Sequence, residues 1–145
     1  MKAEALRKFL KKFVISNSKV SNYFLGKKLI VRHDNVFLVH DDFDENEIFK
    51  DELVFIKLKK FLPSTYLLED IKNNTNNVLE IRTERLALDF TYGKPLNFRN
   101  LVTNIKLKSG VYYIVTFQDR PLGYVELVNS KIRNLMNVGD YLREN

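Results

Sequence analysis

Every residue from Val111 to Phe117 (VYYIVTF) is β-branched or aromatic, and no other stretch restricts the fold as much. Such side chains fit the pleated surface of a sheet and lose rotamer freedom in a helix, so the run reads as a buried strand. Turn chemistry surrounds it. Gln118-Asp119-Arg120 turns the run into Pro121–Val128 (PLGYVELV), and Asn129-Ser130 turns again into Lys131–Leu135. Residues 97–103 (NFRNLVT) read as a short helix capped by Asn97. A terminal helical turn, Tyr141-Leu142-Arg143, closes the chain. Three strands on short turns with a small helix before them predict a compact, barrel-like β module.

The first part of the chain has another pattern. Ala3, Leu6, Phe9, Leu10, Phe13 and Val14 recur at helical spacing, with Arg7, Lys8, Lys11 and Lys12 opposite, which predicts an amphipathic helix over 3–15. Its apolar stripe is expected to face the core, its basic face being solvated or set against a partner. Ser16-Asn17-Ser18 is expected to end it. Residues 28–32 and 36–40 read as strands around a tight turn at His33-Asp34-Asn35, and Leu53–Phe61 as one further strand. Pro63 stops that strand, Ser64 caps a helix over 65–71, an Asn-rich connector follows at 73–77, and Val78–Arg82 is a strand. The order α-β-β-β-α-β predicts a small α+β unit.

Charge is distributed unevenly along the 145 residues, whose formal net charge is +6. Nine bases between Lys2 and Arg32 face only Glu4, whereas eight acids between Asp34 and Glu52 face only Lys50. A basic end, an acidic belt and a basic tail favour anionic partners. The chain has no cysteine, which excludes disulfides, thiolate zinc sites and thiol nucleophiles. No run approaches the ~20 apolar residues of a membrane span, and the N-terminus reads as a mature helix because Glu4 and its lysines interrupt any signal-like apolar segment.

Catalytic chemistry finds little to work with. Asp42-Phe43-Asp44-Glu45-Asn46 matches the opening of a calcium loop, but Glu47 stands where the turn wants Gly and Leu53 where a bidentate Glu is needed. His33 and His40 could share a hairpin, yet no third histidine or cysteine completes a typical zinc site, so only a carboxylate could serve. The five glycines are isolated, which excludes a phosphate-cradling loop, and no serine lies in a nucleophile elbow. The expectation is a protein with no catalytic residues, no metal and no cofactor. In 93–145, by contrast, eight bases outnumber four acids and are interleaved with Phe98, Tyr112, Tyr113 and Tyr124. Such a surface can neutralise phosphates while flat groups stack bases.

Residues 110–124, with their P-L-G-aromatic turn at Pro121-Leu122-Gly123-Tyr124, together with Asn134-Leu135 through Gly139, Tyr141, Leu142 and Arg143, resemble the end of a PUA domain. Phe90-Thr91-Tyr92-Gly93 and 96–102 resemble its opening. With the order of the preceding elements, the chain resembles the archaeal-type Nip-seven-like family of ribosome-biogenesis proteins. That pattern has a second glycine where Val125 stands, which predicts a more regular strand here. The resemblance implies an α+β protein with an N-terminal pre-PUA domain at 1–91 and a PUA-type barrel-like domain at 92–145. It further implies an RNA-binding accessory protein of large-subunit rRNA processing or ribosome assembly, with RNA at Gly93, Lys94, Arg99, Lys131, Arg133, Asn134 and Arg143. The expected setting is a cytoplasmic monomer (nucleolar in a eukaryote) that binds rRNA and other assembly proteins. The alternatives are a protein–protein adaptor in an RNA-processing complex and a non-catalytic partner of an RNA-modifying enzyme.

Overall fold

The structure, a computed structural model, describes residues 2–43, 52–57, 61–102 and 106–136. It is mixed α and β, with four α-helices and two four-stranded sheets among the described residues. The chain opens with helices α1 (Ala3–Lys11) and α2 (Asn17–Phe24), then builds a first sheet in chain order. Its strands are β1 (Lys27–Arg32), β2 (Asn35–His40), β3 (Leu53–Lys57) and β4 (Phe61–Pro63), all antiparallel. The β1–β2 turn has positive φ at both His33 (51°) and Asp34 (65°), the backbone a two-residue hairpin needs to match strand twist.

Helix α3 (Thr65–Lys72) follows, capped by the Ser64 hydroxyl, which accepts from the Leu67 N–H at 3.1 Å. The second sheet then begins with β5 (Val78–Glu80), continues after helix α4 (Glu84–Thr91) with β6 (Tyr112–Phe117), and ends with β7 (Arg120–Val128) and β8 (Lys131–Asn134). β5 runs parallel to β6, and the other pairs are antiparallel. Two more turns with paired positive φ, Gln118-Asp119 and Asn129-Ser130, join β6 to β7 and β7 to β8. Glu80 secures the first of these from β5: its carboxylate accepts from the Gln118 N–H at 2.7 Å and the Thr116 hydroxyl at 2.6 Å.

Two cores lie on opposite faces of the second sheet. One gathers Leu6 and Leu10 of α1 and Phe13 just after it with α2, β2, β3, α3 and Ile114 of β6. The other packs Ala87 and Phe90 of α4, with Leu96, Leu101 and Leu107, onto Leu79, Val115, Val125 and Ile132. Strand alternation explains the division, since Tyr112 and Ile114 point one way and Tyr113 and Val115 the other. The first core is joined across the sheets by rings. Phe9 lies edge-on to Phe13, Phe55 and Tyr124, each at 5.3 Å between centroids, and Tyr112 is 5.2 Å from Tyr124. Lys72 adds a polar tie, donating to the Glu69 carboxylate at 2.8 Å and to the Asp119 carbonyl at 2.7 Å. Hydrogen bonding to Glu69 leads the causes that hold this ammonium above its usual pKa.

Several expectations need correction. The first helix stops at Lys11 instead of reaching residue 15, and Ala3 and Val14 are exposed. The cause is tertiary: the Tyr112 N–H takes the Lys12 carbonyl at 2.7 Å and the Thr75 hydroxyl takes the Phe13 carbonyl at 2.6 Å, so the backbone turns at Val14 with φ 58°. Ser16 begins a helix as well as following one, its hydroxyl accepting from the Lys19 N–H as the cap of α2. Leu53–Phe61 is two strands, with Lys57 opposite Phe61, because an apolar run does not reveal a reversal inside it. Helix α4 was not foreseen, although Thr83 caps it by accepting from the Leu86 N–H. The described residues 97–102 hold a single 3₁₀ turn, Phe98–Asn100, and Asn97 makes no side-chain cap bond. β5, read with the N-terminal unit, pairs in the second sheet, so β5 and α4 lie before residue 92 in sequence and with β6–β8 in space.

Among the described residues the second sheet does not close into a barrel. Single bridges nonetheless touch both of its edges, Leu96 pairing with Ile132 of β8 and Leu101 with Ile81 just after β5. The segment 96–101 therefore spans the open side from one edge to the other. Val125 is fully buried in β7, opposite Tyr113 on one side and Asn134 on the other, while the β6–β7 register shifts at Leu122, between the Val115–Gly123 and Thr116–Pro121 pairs.

Candidate nucleic-acid interface

β8 is the edge of the second sheet, and its alternation sorts its four residues. Ile132 is buried in the second core, which puts Lys131 and Arg133 on the other side, both exposed. Neither makes an ion pair among the described residues. Arg133 lies opposite Glu126, which lies opposite Tyr112. Burial, then the Glu126 charge, raises the Tyr112 phenol above its usual pKa, and Arg133 pulls the other way. The guanidinium thus acts on a row that crosses three strands. Asn134 turns inward with Ile132. Its Nδ2 donates to the Phe90 carbonyl at 3.0 Å and its Oδ1 accepts from the Met136 N–H at 2.9 Å. This side chain fastens β8 to the end of α4, so its amide is engaged within the fold.

The Leu96–Ile132 bridge brings Leu96 alongside β8, and the chain then crosses toward β5, where Leu101 meets Ile81. Gly93 ends α4 with φ 86° and donates its N–H to the Phe90 carbonyl at 3.0 Å, a left-handed helix stop that explains the glycine. Lys94 folds back onto the same helix. Its N–H donates to the Asp89 carbonyl and its Nζ lies 3.4 Å from the Asp89 carboxylate, which offsets part of its charge. Arg99 sits in the 3₁₀ turn, exposed and without an ion pair among the described residues. Arg143 lies outside the described residues.

The aromatic residues divide differently from the sequence expectation. Tyr112 and Tyr124 belong to the ring cluster between the sheets, and Tyr113 is buried with its hydroxyl accepting from the Lys108 N–H at 2.9 Å. Among the described residues from 92 onward, the rings left to solvent are Phe98, 46% exposed beside Arg99, and Tyr92, 67% exposed beside Gly93. Tyr92 was not singled out from sequence as a stacking residue. Its one sequence signal is an aromatic immediately before the glycine that ends a helix.

No group of three His, Asp or Glu side chains poised for a metal exists among the described residues. His33 lies at the β1–β2 turn and His40 at the far end of that hairpin, so the two do not meet. The calcium-like stretch from Asp44 onward lies outside the described residues. No helix among the described residues is long and apolar enough to cross a membrane. Compared with models of known protein families the chain matches none, and no curated protein matches it.

Proposed function

We propose that this chain is a non-catalytic RNA-binding protein of PUA type that serves large-subunit rRNA processing or ribosome assembly. The observation that carries this reading is the exposed pair Lys131 and Arg133 on the edge strand β8, with exposed Phe98 and Arg99 on the segment that meets the same strand at Leu96. Guanidinium and ammonium groups neutralise phosphates, and an exposed ring next to an arginine offers a flat surface for an unpaired base. The span from Leu96 to Leu101 across the open side of the sheet suits a barrel-like module more than an open sheet would. The ribosomal setting rests on the resemblance of 110–124 and 132–143 to the PUA ending.

The test is an anisotropy titration with U-rich single-stranded RNA, structured rRNA fragments and matched DNA at two salt concentrations. RNA is expected to bind better than DNA and to weaken as salt rises. Replacing Lys131 and Arg133 with Ala is expected to flatten the salt dependence by about 0.7 per lost phosphate contact on a single strand. An unchanged slope would move the RNA face elsewhere. A protein–protein adaptor is the second reading, favoured by exposed Leu88 and Tyr92, four residues apart at the end of α4. Absence of RNA binding at low salt would transfer the assignment to it.

A further inference from the structure

Where β6 begins, the surface opens into a groove of about 210 Å³ with no acidic residue among the described residues that line it. Lys106 and Lys108 stand on one wall, both exposed, and Asn76 and Asn77 of the Asn-rich connector line it as well. Apolar surface comes from Val14, Val111 and Tyr113. Lys12 is adjacent, its Nζ held by the Gly110 carbonyl at 3.3 Å and 5.6 Å from the Tyr112 ring centre. The size matters, because a cavity of ~150 Å³ holds benzene. This groove is therefore large enough for one heterocyclic base and too large for a lone ion.

Its polar groups are held in place. The Asn77 Nδ2 donates to the Tyr112 carbonyl at 3.1 Å, which orients the amide and leaves its oxygen to accept. The Tyr113 hydroxyl accepts from the Lys108 N–H, which leaves its own hydrogen to donate. The carbonyls at the end of α1 are occupied, that of Lys11 by the Val14 N–H, that of Lys12 by Tyr112 and that of Phe13 by Thr75. No bare carbonyl from that helix end opposes an anion. Val14 is the strained member, a β-branched residue at φ 58° whose side chain is 63% exposed at the groove. The groove is also near the cations of β8. Ser109 bridges to Leu127, and Leu127 pairs with Ile132. Two strand spacings, roughly 10 Å, thus separate the Lys108–Ser109 backbone from the Lys131–Arg133 strand.

We propose that this groove takes one nucleotide of a single-stranded RNA, the base resting on Val14 and Val111 and the phosphate between Lys106 and Lys108. The Asn76 and Asn77 amides meet the base edge, and the strand continues across the end of β7 to Lys131 and Arg133. This rests on the RNA-binding reading above and adds a second station to it.

The test uses the full chain and a labelled short single-stranded RNA, titrated at two salt concentrations. Lys106→Ala with Lys108→Ala is expected to weaken binding several-fold and to flatten the salt slope by about 0.7, the value for one neutralised phosphate on a single strand. Val14→Gly relieves the positive φ, so it is expected to melt no lower than the parent while binding RNA more weakly. If the lysine variant keeps the parent's affinity and slope while Lys131→Ala with Arg133→Ala loses both, the groove is overturned and the β8 reading stands. Parent-like affinity of Val14→Gly would overturn the base contact. A parent chain that binds no RNA at low salt would overturn the RNA-binding reading and the groove with it.

Discussion

In the first sheet each strand pairs with the next in sequence, β1 to β2 to β3 to β4, all antiparallel. The second sheet begins with a parallel pair, β5 with β6, across the stretch 81–111, and only then proceeds by hairpins. A parallel pair needs a long crossover, and closing it costs more chain entropy than a two-residue turn. The second sheet offsets that cost with side-chain ties absent from a simple meander. Glu80 grips the β6–β7 turn, and the Asn77 Nδ2 donates to the Tyr112 carbonyl at 3.1 Å. Helix α4, within the crossover, supplies Ala87 and Phe90 to the core on one face, while α1 and α3 pack on the other. The first sheet is local in origin. The second is assembled by what surrounds it.

The largest test of that contrast is whether the two sheets unfold together. Phe13→Ala, between the sheets, and Leu79→Ala, in the second core, are each expected to cost about 3–5 and 2–5 kcal/mol respectively. Urea unfolding followed by far-UV and tyrosine signals should remain one transition in both variants. Two separated transitions would make the ring cluster a docking contact between independent halves. Glu80→Ala should cost about 1.5–3 kcal/mol, the range for hydrogen bonds to a charged group, with the loss concentrated in the second sheet. Amide exchange checks this: protection should fall in β5, β6 and β7 and hold in β1 and β2.

Alkaline titration probes one buried phenol on each side. Burial first, then the Asp70 charge and hydrogen bond, pushes Tyr23 of α2 well above its usual pKa. Burial, followed by Tyr112 and Glu126, does the same to Tyr124 of β7. A raised folded-state pKa means that this stability is whole below the unfolded value of about 10 and is lost as pH rises toward the folded value. Stability measured by urea melts should therefore fall above pH ~10, and Tyr23→Phe and Tyr124→Phe should each lessen the fall. A fall unchanged in both would assign the alkaline loss to other groups. The smallest effect compares the hairpins. Asp34→Gly and Ser130→Gly remove a left-handed penalty of ~1–2 kcal/mol and add ~0.5–1 kcal/mol of chain entropy, for a net gain of about 0.5 kcal/mol each. Thermal melting would register the gain, and a loss at Ser130 alone would give its side chain a role in the second sheet.

Much of this was legible in the amino-acid order, and the reasons are local. β-branched and aromatic residues mark Tyr112–Phe117 as a strand, Ser64 marks the start of α3, and His33-Asp34 and Asn129-Ser130 mark turns despite lacking glycine, because polar residues of this kind tolerate left-handed backbone. Lys131 and Arg133 were legible as an exposed basic pair, since alternation about Ile132 leaves them no other side. Asn134 was not, because its inward bond to Phe90 depends on where α4 ends. Nor were α4 and α2, short helices whose caps, Thr83 and Ser16, look the same in sequence as turn residues.

The chain order by itself determined the β1–β2, β6–β7 and β7–β8 turns, the Ser64 cap and the apolar alternation, all consequences of backbone preferences acting over a few residues. Only the tertiary structure decided that β5 joins the second sheet, that α1 stops at Lys11, and that Leu96 meets β8. Those outcomes rest on hydrogen bonds and contacts between residues distant in sequence, such as Tyr112 with Lys12 and Leu96 with Ile132, and no local propensity carries a record of its distant partner.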